Sequence, residues 1–118
     1  MLGIDIIEIA RIGESVKKEA FVKKVFTAAE REYYNSNGCN AQTYAGIFAA
    51  KEAVAKALKT GFNGIKYTEI EILHNSLGAP YVKLKGQAAE IFKMTGKQHI
   101  EISISHCATY ATAVCITN

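Results

Sequence analysis

Asp5 is the only aspartate in the chain, and it sits inside an apolar run with Ile4, Ile6 and Ile7 around it. A carboxylate in such surroundings must be paired, hydrogen-bonded or bound to a metal. Its setting admits both a salt-bridged structural acid and a metal ligand. Glu52 is the second acid that could join it, one helical turn before Lys56. That spacing also suits a plain helix-surface ion pair, worth about 0.2–0.5 kcal/mol. The pair shares its stripe with Ala45 and Ala49, small residues that leave room for a ligand or a neighbouring chain. Lys51 falls within an apolar stripe, between Phe48 and Val54/Ala55. Its amine either snorkels to the surface or meets a buried anion such as a phosphate. His106 closes an alternating stretch, where it is either structural or exposed, or serves phosphate contact or proton transfer. Two carboxylates with cations beside them are the materials of metal-assisted chemistry on phosphates.

The elements that carry these residues follow from periodicity and punctuation. Residues 2–9 are β-branched and nearly continuous, which predicts a buried strand around Asp5. A short helix is expected over 10–18. Thr27-Ala28-Ala29-Glu30 is a capping box that opens the next helix, and the breaker cluster Asn35–Gly38 ends it. Asn40 is expected to cap a long helix over 41–59, ended by Gly61. Its core stripe is Tyr44, Ile47, Phe48, Val54, Ala55 and Leu58. Residues 67–74 and 80–84 read as the strands of a hairpin about Asn75–Gly78, and a short helix spans 86–95 before Gly96. In 99–106, Ile100, Ile102 and Ile104 alternate with Glu101, Ser103 and Ser105, and 110–117 makes a last strand. Mixed element order with hairpins predicts an α+β fold, a largely antiparallel sheet packed on one long helix with shorter helices.

The bulk numbers bound the rest. A chain of 118 residues, 49% hydrophobic and 21% charged, is one ordinary domain with enough apolar surface for a core. No apolar run approaches the length of a membrane helix, and the opening residues lack the basic region of a secretory signal, so the expected location is cytoplasmic. Cys39, Cys107 and Cys115 show no ligand spacing and are expected to be reduced, mostly packed thiols. Cys107 and His106 would point to opposite faces of a strand, which argues against a Cys–His nucleophile. Arg11, Lys17, Lys18, Lys23 and Lys24 cluster against Glu14 and Glu19 only. They make either a solvated helix face or a docking surface for an acidic protein or phosphates. No basic and aromatic interleaving suggests nucleic acid. Phosphate-cradling glycine loops and a nucleophile elbow are absent.

Five segments together carry a resemblance. Gly3-Ile4-Asp5-Ile6-Ile7-Glu8-Ile9-Ala10-Arg11-Ile12 resembles the opening motif of the holo-acyl-carrier-protein synthase family, the small single-domain 4′-phosphopantetheinyl transferases. Phe26–Glu30, the Phe-Ala-Ala-Lys-Glu-Ala-Xaa-Xaa-Lys-Ala run at Phe48–Ala57, the Asn75–Pro80 turn, and Ser103–His106 followed by Tyr110–Ala113 are similar to the family's later segments, in order. The family commonly has arginine or another polar residue where this chain has Ile47. The resemblance implies transfer of phosphopantetheine from coenzyme A to a serine of an apo acyl carrier protein, releasing 3′,5′-ADP. It implies Mg²⁺ held by Asp5 and Glu52, and Lys56 at the leaving charge or the pyrophosphate. Lys51 and His106 would add phosphate or nucleotide contacts. Arg11, Lys17 and Lys18 would meet the carrier's acidic helix, and the assembly would be a homotrimer with sites between subunits.

Overall fold

The computed structural model describes residues 1–118. Helix α4 (Ala41–Ala57) is its axis. Alanine has the highest helix propensity, and its small side chain lets strands approach closely. Strand β1 (Leu2–Glu8) leads into α1 (Ile9–Ser15), α2 (Glu19–Val25) and α3 (Ala28–Ser36). After α4, a tight helical turn at Tyr67–Glu69 precedes the hairpin β2 (Ile70–His74) and β3 (Pro80–Leu84). Helix α5 (Gly86–Met94) and strands β4 (Ile100–His106) and β5 (Tyr110–Thr117) complete the chain. The expected α+β class with antiparallel pairing is what forms.

The strands make two sheets rather than one. Sheet order β1-β5-β4 is antiparallel throughout, with Asp5 opposite Ala113 and Ile104 opposite Ala113 on the other side. The hairpin β2–β3 stands apart. A carboxylate occupies part of its free edge: the amide of Ile72 donates to Glu30 Oε2 at 2.7 Å. An edge donor satisfied this way has no need of a further strand.

The core gathers around α4. Phe26 is fully buried and stacks on Tyr44 with centroids 4.1 Å apart, and Tyr44 stacks on Tyr34 at 3.8 Å. Burying one such ring stabilises the fold by roughly 1.5–3 kcal/mol. Ala45, Ala49, Ala53 and Ala57 are fully buried. The stripe expected to leave room for a ligand or another chain is therefore filled, because β1 and β5 of the same chain lie across this helix.

Local chemistry explains the boundaries. The Thr27 capping box forms in full: Thr27 Oγ1 accepts from the Glu30 amide at 3.3 Å and Glu30 Oε1 from the Thr27 amide at 2.8 Å. Asn40 precedes α4 but makes no side-chain cap bond. Helix α4 ends at Ala57, not at 59, with Leu58 as its cap and Lys59 in the left-handed region (φ 68°). Helix α2 lies beyond the predicted 10–18 helix. Its cap position is Lys18, which makes no side-chain cap bond, so no start signal marked it. Residues 67–69 form a turn of 3₁₀ type rather than strand. Of the three thiols only Cys115 is packed; Cys39 and Cys107 lie in exposed turns.

Candidate active site at the crossing of β1 and α4

The inward face of β1 is Gly3, Asp5 and Ile7, alternating with exposed Leu2, Ile4 and Ile6. At Gly3 the strand touches the helix backbone. A Cβ there would overlap the carbonyl oxygen of Ala53 and come within 2.7 Å of the amide nitrogen of Ala57. This contact lays Asp5, two residues on and on the same face, over the helix turn that carries Glu52 and Lys56.

Lys56 Nζ donates to Asp5 Oδ1 at 3.1 Å and to the Ile4 carbonyl at 3.0 Å. The Asp5 carboxylate is 15% exposed and the Lys56 side chain 53%. The i,i+4 pair of Lys56 with Glu52 is not made. Lys56 instead bridges helix to strand, while Glu52 Oε1 accepts from the Tyr67 hydroxyl at 2.9 Å. Thr112 Oγ1 holds the Asp5 backbone carbonyl at 2.7 Å. Burial first, then the Glu52 hydrogen bond and the charges of Glu52 and Asp5, push the Tyr67 phenol well above its ordinary range. It therefore stays a protonated donor at neutral pH.

Lys51 does meet a buried anion, but the anion is protein. Its side chain and that of Glu30 are both fully buried, 2.9 Å apart. Nζ also donates to the carbonyls of Ile70 at 2.6 Å and Tyr67 at 2.9 Å. All three ammonium protons are thereby used, so the expectation of a phosphate or nucleotide contact at Lys51 is corrected: no donor is left for one. Burial lowers its pKa, and Glu30 opposes that shift.

His106 is exposed at the end of β4 and lines a cleft of about 290 Å³ with Tyr33, Gln42, Thr43 and His74. Ile47 also lines this cleft although almost entirely buried, so the position offers an apolar floor there. Asp5, Glu52 and Lys56 do not line it. Among the docking candidates, Arg11 and Lys18 are exposed without a carboxylate partner, whereas Lys17 pairs with Glu14 at 3.0 Å. Sequence reading did not single out Tyr67, nor Glu30 as a partner of Lys51. Each meets its partner from a distant stretch of chain, and no local spacing marks such a contact.

Residues 1–115 match the family model described as the 4′-phosphopantetheinyl transferase superfamily. The chain belongs to that superfamily. Among its relatives in the family, holo-[acyl-carrier-protein] synthase of Fusobacterium nucleatum is 45% identical over 116 residues, 98% of this chain and 95% of that protein. The synthase of Clostridium tetani is 44% identical over 98% of this chain and 92% of its own. The superfamily fold is equally clear in three dimensions. The Helicobacter pylori synthase, solved in complex with coenzyme A, superposes with a TM-score of 0.88 at 33% identity, covering 100% of both chains. The Neisseria meningitidis synthase gives 0.89 at 30% identity, covering 99% and 96%.

Proposed function

We propose that this protein transfers the 4′-phosphopantetheine group of coenzyme A to a serine of an apo acyl carrier protein, with Mg²⁺ held by Asp5 and Glu52. The observation that carries this reading is the ion pair of Asp5 with Lys56 where β1 crosses α4, with Glu52 one helical turn before Lys56. It is supported by the names of the relatives and by the coenzyme A held by the Helicobacter pylori protein.

The donors suit the ion. Asp5 Oδ2 and Glu52 Oε2 have no partner in the protein and are not among the buried unpaired atoms. No third His, Cys, Asp or Glu gathers beside them. Two hard oxygens, with the remaining positions left to water and substrate phosphate, is the coordination Mg²⁺ favours. When bound, Mg²⁺ would withdraw charge from the pyrophosphate of coenzyme A.

The chain's own groups do the rest. The serine oxygen of the carrier forms a bond to the phosphorus that bears pantetheine as its proton passes to solvent. The bridging phosphorus–oxygen bond breaks, and its electron pair leaves on 3′,5′-ADP. Lys56 is half exposed and spends two of its donors on Ile4 and Asp5. Its third is free for a phosphate oxygen and stabilises the charge as it develops. Arg11 and Lys18, with no acid of their own, face the acidic helix of the carrier; Lys17 contributes less because Glu14 offsets it.

The assembly in this reading is a homotrimer with sites between subunits. His106 and the Asp5–Glu52–Lys56 group lie in different places on one chain, and the outer face of the β1-β5-β4 sheet carries exposed Leu2, Ile4, Ile6 and Ile116. A neighbouring copy seated on that face would cover it. His106 would then approach nucleotide in a shared cleft. The proposed location is the cytoplasm; exposed, unpaired Cys39 and Cys107 suit a reducing compartment.

The test is the intact mass of an apo acyl carrier protein after incubation with this protein, coenzyme A and Mg²⁺. We expect a gain of one phosphopantetheine, abolished by EDTA and reduced at least ~100-fold in rate by Asp5→Ala or Glu52→Ala. Coenzyme A bound without any mass gain would make the protein a binding module and end the transferase reading.

A further inference from the structure

We propose that Tyr67 is a positioning residue for the carboxylate pair: its hydroxyl holds Oε1 of Glu52, so that the other oxygen is presented beside Asp5 to a divalent cation. This deepens the reading above and rests on Asp5 and Glu52 being cation ligands.

Tyr67 is held far more firmly than a surface tyrosine. Its carbonyl accepts from the buried ammonium of Lys51 at 2.9 Å, and that ammonium is itself paired with buried Glu30. On the other side of the turn, Glu69 Oε1 accepts from the Lys66 amide at 2.7 Å and Oε2 from the Gln87 amide at 2.6 Å. The ring stacks on Phe62 with centroids 3.8 Å apart and lies 5.6 Å from Phe48. Backbone and ring are thus both clamped, and the hydroxyl is left with one direction, toward Glu52 Oε1 at 2.9 Å.

Glu52 needs such a partner. Its side chain has three rotatable bonds, it is only partly buried, and Tyr67 is its one side-chain hydrogen-bond partner in the protein. An unrestrained glutamate spends only part of its time in the rotamer that meets a cation beside Asp5, and affinity falls by that fraction. Hydrogen-bond partners that orient metal-binding side chains typically contribute about 10–100-fold to metal affinity. The buried Lys51–Glu30 pair thereby acquires a use at the site it does not touch: it fixes the turn that aims the phenol.

Mn²⁺ serves as the probe, its binding to the full chain read from the free-ion signal in electron paramagnetic resonance. Wild-type protein should bind Mn²⁺, and Asp5→Asn should remove that binding. Tyr67→Phe keeps the ring and its stacking, and should weaken Mn²⁺ about 10-fold with little change in melting temperature. Phe62→Leu, which loosens the ring but spares the hydroxyl, should weaken it in the same direction and less, and stands in should Tyr67→Phe misfold. Equal Mn²⁺ affinity in wild type and Tyr67→Phe, with or without a lower melting temperature, overturns the proposal while leaving the ligand pair intact. Wild-type binding that is absent, or that Asp5→Asn leaves unchanged, overturns both.

Discussion

Lys51 shows how one residue's surroundings decide its role. Its place in the apolar stripe left two outcomes, an amine at the surface or an amine against an anion, and the fold takes the second with Glu30 as the anion. Two buried charges, each hydrogen-bonded on every side, are tolerated; one alone is not. Lys51→Met should therefore cost about 3–5 kcal/mol in chemical denaturation, because it strands the Glu30 carboxylate. Among the molecules that remain folded, the KM for coenzyme A at saturating Mg²⁺ should be unchanged, because the Tyr67 turn that Lys51 steadies acts only on how tightly the cation is held. A raised KM at unaltered stability would instead restore Lys51 as a phosphate contact. Glu30 could be read in the sequence as a cap, and it is one. The donor to its second oxygen and its ammonium partner come from β2 and α4, which no pattern around residue 30 discloses.

At the scale of elements, the crossing of β1 on α4 decides whether there is a site at all. Two glycines separate the effects of space. Gly3→Ala drives a methyl group into the backbone of Ala53 and Ala57. Overpacking against rigid backbone should destabilise by about 3 kcal/mol and lift Asp5 away from Lys56. Gly13→Ala lies within α1, where the added methyl would rest 3.6 Å from Ala41 Cβ, an ordinary contact. It should stabilise by about 0.5–1 kcal/mol through helix propensity. Urea midpoints of the two variants should move in opposite directions, and a shared sign would mean the strand is not seated on the helix as described. Strand β1, helix α4 and the capping box were legible because strong local signals mark them. Helix α2 and the separation of the β2–β3 hairpin were not, since one lacks a cap residue and the other depends on a carboxylate from α3.

The whole molecule leaves one sheet face uncovered. Ile4 and Ile6 are each 63% exposed and Leu2 61%, on a strand whose other face is packed against α4. If that face seats neighbouring copies, Ile4→Glu with Ile6→Glu should reduce the particle to a monomer in light scattering. Transferase activity should fall with it, although Asp5, Glu52 and Lys56 are unaltered. A wild-type particle already monomeric at micromolar concentration would remove the homotrimer and with it the shared cleft.

The sequence by itself determined which side chains are available for chemistry and the element on which most of them ride. Asp5 in an apolar strand and Glu52 with Lys56 on an alanine-rich helix are local facts, readable from residue type and period. Only the tertiary structure decided what each one meets. Lys56 turns from Glu52 to Asp5, Glu52 is taken by Tyr67, and Lys51 is spent on Glu30 and two carbonyls. The physical reason is that an ionic hydrogen bond depends on distances of about 3 Å. Those distances are set by how closely β1 and the Tyr67 turn are packed onto α4, and no spacing along the chain encodes them.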